Sequence, residues 1–283
     1  MTKRLTEQEV ATYRRDGILF PIRVFSETEM AGYRTRLDAL ERREGGKLSR
    51  QTNMKPHLLV PWLNDLIRHP NVLDAVEDVL GPDILCWGSG FFTKRGGDGT
   101  FVSWHQDATY WGLSESEVLT AWIAFSPSVK ANGCMRVIPG TQDSDQLPHA
   151  DTFASDNLLS RGQEIAVEVD ESKAVDVVLQ PGEMSLHHVK IVHGSERNTS
   201  DGPRIGFAVR YVPTRIRQLS GIRDSATLVR GTDRFGNFDL EPTPAAEFHP
   251  DAAAYHAAMI QKQVEILYAG ADQRPAFAKA AGM

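Results

Sequence analysis

A mainly β core, a sandwich or barrel flanked by helices at both ends, is the fold class the sequence predicts. Three observations carry that expectation. Between Ile84 and Tyr211, short β-branched and aromatic runs alternate with Gly, Pro, Asn and Asp. Before and after this region the apolar residues recur at helical spacing. No stretch rich in Pro, Gly or Ser divides the 283 residues. One domain over 1–283 is therefore expected, with a helical region 1–82, a β core 83–212 and a C-terminal region 213–283 containing a helix.

The elements follow in chain order. Thr6 with Glu9, and Ser26 with Glu29, form capping-box patterns, each opening a helix, the second running towards Glu41. Pro61 can open a short helix through Ile67. Val72, Leu73, Val76, Val79 and Leu80 mark an amphipathic helix that stops at Gly81-Pro82. The first 80 residues thus read as helical. Strands are expected at Ile84–Lys94, Phe101–Gln106, Val118–Ser126, Met135–Ile138, Ala174–Leu179, Met184–His188 and Arg204–Val212. A helical pattern returns over Pro244–Ala269, with Ile260, Val264 and Leu267 as its apolar stripe.

Composition narrows the function. With 31 Lys and Arg against 37 Asp and Glu the formal charge is −6, which offers no basic footprint for nucleic acid or an anionic membrane surface. Neither a signal-peptide pattern at Met1–Glu7 nor an apolar run long enough to cross a bilayer is present. The terminal Ala281-Gly282-Met283 is no peroxisomal address. Two cysteines, Cys86 and Cys134, are too few for a disulfide framework. The expectation is a cytoplasmic protein with a small-molecule partner.

Chemistry concentrates in two segments. In Ser103-Trp104-His105-Gln106-Asp107, a strand would point His105 and Asp107 to one side. Far along the chain, His193 can supply a third ligand if the strands bring it close. Two imidazoles and a carboxylate on one face of an octahedron leave three positions open, an arrangement suited to non-haem Fe(II). Structural zinc would require four closed ligands, usually with thiolates. On the strand that follows, Arg204, Gly206, Ala208 and Arg210 share one face and Ile205, Phe207, Val209 and Tyr211 the other. A guanidinium in a lumen lined by small residues suits a ligand carboxylate. His57, His69, His149, His249 and His256 sit in polar or turn-like contexts and read as surface or capping residues. His187 shares a face with His193 and reads as supporting it rather than as a fourth ligand.

His105-Gln106-Asp107, the Asn132-Gly133-Cys134-Met135-Arg136-Val137-Ile138-Pro139-Gly140-Thr141 stretch, and His193-Gly194-Ser195 with Asn198 and Arg204 together resemble the phytanoyl-CoA dioxygenase family. The likeness runs from about Thr6 to about Tyr211, in the same order. Where family members often carry Glu-Asn-Gly, this chain has Ala131-Asn132-Gly133. The resemblance implies a double-stranded β-helix (jelly roll, cupin-like), with dependence on Fe(II), 2-oxoglutarate and O2. It implies His105, Asp107 and His193 as the metal and catalytic triad, and Arg204 as anchor of the distal 2-oxoglutarate carboxylate. It places Ser195 and Trp122 in the co-substrate pocket. The reaction implied is hydroxylation of an unactivated C–H bond, with release of succinate and CO2. Halogenating relatives carry Ala or Gly at the carboxylate position, so Asp107 points to a hydroxylase.

Residues expected to meet substrate are Asn53, Lys55, Lys94, Tyr110, Trp111 and Arg210, and their cations suit a small anionic or zwitterionic metabolite, such as an aminophosphonate or a carboxylic acid. An acyl thioester or a natural-product intermediate is an alternative within the family. Outside it stand a non-catalytic jelly-roll binding protein and a zinc hydrolase, the latter without a general base at any fixed spacing. Arg223 and Arg230 are two further cations that could close over the pocket.

Overall fold

The computed structural model describes residues 2–274; Met1 and residues 275–283, with the terminal Ala281–Met283, lie outside the described residues. Both capping boxes form as expected. Thr6 Oγ1 accepts from the Glu9 amide and starts α1 (Glu7–Asp16); Ser26 Oγ does the same with Glu29 for α2 (Glu27–Arg43). Gly17 closes α1 in the left-handed conformation, φ +72°, which a side chain would resist. Proline opens α3 (Pro61–Leu66), α4 (Pro70–Leu80) and α5 (Pro250–Leu267).

The strands are β1 (Ile18–Arg23), β2 (Ile84–Lys94), β3 (Val102–His105), β4 (Leu119–Ala124), β5 (Met135–Ile138), β6 (His149–Asp151), β7 (Gln163–Ile165), β8 (Val175–Val177), β9 (Glu183–His188), β10 (Val192–Ser195), β11 (Arg204–Pro213), β12 (Ser225–Arg230) and β13 (Asp239–Leu240). A seven-stranded sheet has the order β1-β9-β4-β11-β2-β12-β13, and a four-stranded sheet the order β3-β10-β5-β8. From β2 to β5 and again from β8 to β11 the chain alternates between the two sheets, the jelly-roll arrangement of a mainly β fold, while β6 and β7 pair with each other between these stretches.

Two differences from the sequence reading concern the ends. Ile18-Leu19-Phe20-Pro21-Ile22-Arg23, inside the region read as helical, is a strand. It lies at the sheet margin, where Pro21 withholds no needed ladder bond. The C-terminal region also joins the sheet, since β12 pairs antiparallel with β2. Arg223 and Arg230, expected to close over the pocket, are instead ion-paired to other elements. Arg223 pairs with Asp239 at 2.9 Å, and Arg230 pairs with Asp74 and Glu77 at 2.6 and 2.7 Å.

The large sheet has two unlike faces. Phe207, Val209 and Tyr211 pack with Leu63, Leu66, Val72 and Val76 of the helices. On the other face, Ala208 packs with Trp122, Met135 and Val137 between the two sheets. The parity expected for Arg204–Tyr211 therefore holds in full, because on a strand alternate residues have no choice but to face opposite layers. No helix of the described residues is long and apolar enough to cross a membrane.

Candidate metal centre and its two cavities

Two adjacent strands of the small sheet build the centre. β10 pairs with β3 so that His193 lies directly opposite His105, and the ring centroids are 4.0 Å apart. Asp107 comes differently from the expectation. The strand ends at His105, and Asp107 opens a 3-10 turn over Asp107–Tyr110. That turn swings the carboxylate back, placing Oδ1 3.3 Å from His105 Nε2. One ligand atom from each of His105, Asp107 and His193 lies within 4.8 Å of the others, and all three residues are buried. The Gln106 side chain points away, donating to Lys190 O at 2.8 Å and accepting from the Leu147 amide at 2.8 Å, which secures the strand end.

The tautomers are set by the backbone. His105 Nδ1 lies 2.9 Å from Ser103 O and His193 Nδ1 3.0 Å from Ile191 O. A carbonyl only accepts, so each Nδ1 carries the proton and each Nε2 keeps its lone pair for a metal. Burial, with His105 nearby, pushes His193 well below the usual imidazole range. Burial alone would raise the Asp107 carboxyl, but its neighbours His105, His193 and Arg210 hold it below the carboxylate range. A neutral His193 beside an ionised Asp107 carboxylate is the pairing that divalent metal binding requires.

The floor of the lumen comes from β11, β4 and β9. Arg204 is 2% exposed, its guanidinium sits 5.3 Å over the Trp122 ring, and burial lowers its pKa to about 10. The Trp122 indole covers Gly206, where any Cβ would overlap it. Orphaned polar atoms gather here: Arg204 Nε, Arg210 Nε, Thr120 Oγ1, Ser185 Oγ and His187 Nδ1 are buried without a partner. Unmet hydrogen bonds at this density are costly in an interior, and a polar ligand would meet them. Burial pushes His187 down to about 4, and its ring lies 5.1 Å from that of His193, the supporting position expected. The residues thus fit a metal with a dicarboxylate: a three-ligand face at one end and an unpaired buried guanidinium at the other.

The remaining candidates separate. Ser195 lines the lumen with Arg204, Trp122 and Arg210. Lys94 stands behind Ser195 instead of facing a substrate. Its Nζ donates to Ser195 Oγ at 2.6 Å and to the Glu196 carbonyl, and burial with Arg204 nearby lowers it to about 7. Lys55, expected at the substrate, is buried on the opposite face of the sheet, paired with Glu241 at 2.6 Å. Tyr110 is turned outward, donating to Asp151 at 2.7 Å beneath Arg161. Asn53 lines a large cavity, but its amide is committed to the Phe91 N–H and C=O at 2.7 and 2.8 Å. Trp111 and Arg210 both line that cavity, whose volume is about 880 Å3 and which reaches Asp107. Of the histidines read as surface or capping residues, His69 and His249 do cap helices, whereas His57 and His256 are buried.

Sequence reasoning missed the contribution of α5, whose Gln263 and Leu267 line the large cavity. It also missed Gly88 and Gly90 on β2. At Gly90 a Cβ would meet Asn53 O at 2.7 Å. The only signal was the Gly-Ser-Gly triplet within an apolar strand, since glycine there marks close approach of another group.

A jelly roll whose small sheet presents two imidazoles and a carboxylate, facing a buried unpaired arginine, defines a mononuclear non-haem metal oxygenase fold and site. The family model for phytanoyl-CoA dioxygenase (PhyH) matches residues 13–206, and the chain belongs to that family of Fe(II)- and 2-oxoglutarate-dependent oxygenases. Among curated relatives, the ectoine dioxygenase of Bordetella parapertussis is 28% identical over 152 residues, 48% of this chain and 49% of the relative. A probable alpha-ketoglutarate-dependent hypophosphite dioxygenase of Stutzerimonas stutzeri is 28% identical, over 59% and 58%. The chain spans about half the length of the curated relatives it matches. Among solved structures, the non-heme monooxygenase ThoJ in its apo form superposes with a TM-score of 0.80 at 33% identity, covering 91% of this chain and 96% of that one. CytC3 with Fe(II) and alpha-ketoglutarate gives a TM-score of 0.66 at 27% identity, covering 88% and 97%.

Proposed function

We propose that this protein is an Fe(II)- and 2-oxoglutarate-dependent hydroxylase of an anionic small molecule, working as one domain. The observation that carries the reading is the convergence of His105, Asp107 and His193 on one point, opposite a buried guanidinium with an unpartnered Nε. Two Nε2 lone pairs and one Asp107 oxygen would hold the metal. Arg204, with Ser195 and Trp122, would fix the far carboxylate of 2-oxoglutarate by charge and by the planar fork of the guanidinium. When bound, iron with 2-oxoglutarate and O2 supplies the oxidising chemistry that hydroxylates a C–H bond and releases succinate and CO2.

The chain's own part is placement and exclusion. Asp107 occupies the third protein position, and it supports hydroxylation over halogenation because no vacancy is left for a halide there. Trp122, Phe92 and Met135 wall the lumen and keep water from it. Buried free thiols at Cys86 and Cys134 accord with a cytoplasmic setting, and the charge of −6 accords with a partner other than nucleic acid or an anionic membrane.

Anaerobic addition of Fe(II) and 2-oxoglutarate tests this. A weak visible charge-transfer band and slow succinate release in air are expected, both lost in His193→Ala. A wild-type protein that produces neither signal is a binding protein or a hydrolase instead.

A further inference from the structure

The lumen and the 880 Å3 cavity meet at Phe92, Asp107 and Arg210, the last a cation expected at the substrate and not used by the metal or the co-substrate. Arg210 lines both. Its guanidinium lies 5.6 Å over Phe92 on one side and 5.6 Å over Trp111 on the other, and its Nε is buried without a partner. Asp107 acts on it through space. Across β2 the register places Gly88 directly opposite Arg210. A Cβ on Gly88 would stand 3.7 Å from Arg210 Cδ and 3.9 Å from Gln263 Nε2. The missing side chain therefore leaves a gap between a free cation and the amide of α5. Of the other cations lining that cavity, Arg95 donates to Gly46 O at 2.6 Å and Arg50 to Leu159 O at 3.3 Å, while Lys47 and Arg274 are exposed at its rim, so the cation with a buried, unpartnered atom is Arg210.

We propose that Arg210 and Gln263 form the receptor for an oxyanion, carboxylate or phosphonate, carried by the primary substrate, whose larger apolar body lies along the cavity wall at Trp111, Phe153 and Tyr268. This rests on the hydroxylase reading and names its substrate class. Arg204 and Arg210 leave the backbone six residues apart on one strand, about 20 Å, and only Arg210 reaches the large cavity. Two separate anions, one co-substrate and one substrate, fit the two guanidiniums. A cavity of this volume exceeds the needs of a single amino acid and holds a drug-sized molecule. An oxyanion fixed beside Asp107 would present the neighbouring carbons of the substrate to the metal.

The test uses the full chain loaded with redox-inert Ni(II) and 2-oxoglutarate, titrated calorimetrically with 1-naphthylacetate, 1-naphthylmethylphosphonate and the neutral 1-naphthylacetamide. At least one anion should bind about tenfold tighter than the amide, and the tighter anion names the headgroup. Arg210→Gln should erase the preference while 2-oxoglutarate affinity stays within twofold; Gln263→Leu should reduce the preference about threefold. Equal binding of all three compounds to the wild type overturns the proposal. So does a loss of 2-oxoglutarate affinity in Arg210→Gln as large as that in Arg204→Gln, which would give Arg210 to the co-substrate. Unchanged 2-oxoglutarate binding in Arg204→Gln would instead overturn the hydroxylase reading, leaving the anion preference as a separate result.

Discussion

The large sheet carries a dense polar cluster on each face, and the two clusters are opposites in kind. On the helical side, Glu241 accepts from Lys55 Nζ at 2.6 Å, Ser225 Oγ at 2.7 Å and Thr227 Oγ1 at 2.5 Å, and lies 3.2 Å from His57 Nε2. Lys55 also donates to Ser225 O at 2.8 Å, and His57 Nδ1 lies 2.6 Å from Ser89 Oγ. Burial lowers His57, keeping the imidazole neutral so that Nε2–H faces the carboxylate and Nδ1 accepts from the serine. Burial would raise Glu241, yet Lys55 and His57 hold it below the carboxylate range. Each of these donors has an acceptor, and the hydroxyl left over at the edge of the cluster is that of Tyr255. In the lumen, by contrast, Arg204, Arg210, Thr120, Ser185 and His187 keep orphaned atoms. Burial alone does not mark a functional cluster, nor does a single unmet group such as Trp62 Nε1 or Ser128 Oγ; several unmet groups gathered around one cavity do.

Substitutions that break this contrast should have distinct signatures. The largest effect is expected from the ligands. Asp107→Ala or His193→Ala should abolish hydroxylation and weaken metal binding by at least roughly 100-fold, measured by equilibrium dialysis, with circular dichroism unchanged. Wild-type turnover in Asp107→Ala would contradict the ligand assignment.

The satisfied cluster should respond in stability instead. Glu241→Gln leaves Lys55 charged and buried, and should cost about 3–5 kcal/mol in denaturant unfolding, while 2-oxoglutarate affinity of the folded fraction holds. A midpoint unchanged from wild type would show that the pair is not what secures the C-terminal region to β2.

Arg204→Gln reverses that pattern. Loss of a charge-assisted contact should weaken 2-oxoglutarate by roughly 10- to 100-fold, read from titration of the charge-transfer band, with no loss of thermal stability in the absence of ligand. The guanidinium has no ion-pair partner, and its stacking on Trp122 is offset by the cost of burying its charge.

The smallest effect separates Lys94 from both clusters. Its ammonium is protonated below a pKa of about 7 and neutral above it. Protonation adds positive charge beside Arg204, with Glu196, Cys134 and Asp98 as the other groups acting on it. A dianion favours the protonated form, so 2-oxoglutarate affinity should fall roughly threefold as pH rises from 6 to 8.5. Lys94→Met should flatten that slope. A wild-type profile that rises with pH would show the opposite linkage.

Much of the lumen was legible along the chain because strand geometry is local. Once Arg204–Tyr211 is a strand, period 2 alone places Arg204 and Arg210 inside and Phe207 and Tyr211 in the core. His105 was found by its spacing to Asp107, and His193 was offered as a third ligand that the resemblance then implied. Asp107 does converge with His105, but a 3-10 turn and not the expected strand alternation delivers it. Lys55 was misplaced because a lone cation carries no sign of its partner, and Glu241 stands 186 positions away. β1 was missed because Pro21 argues against a strand until its marginal position is known.

The sequence by itself determined the repeating features: capped helices, alternating strands, and which side chains of one strand share a face. These depend on neighbours within a few residues. Only the tertiary structure decided which polar groups find partners. Lys55 and Glu241 meet, Arg204 and Arg210 do not, and Gly88 opens a space against a helix from the far end of the chain. Partnership depends on distances across the fold, which spacing along a chain does not encode.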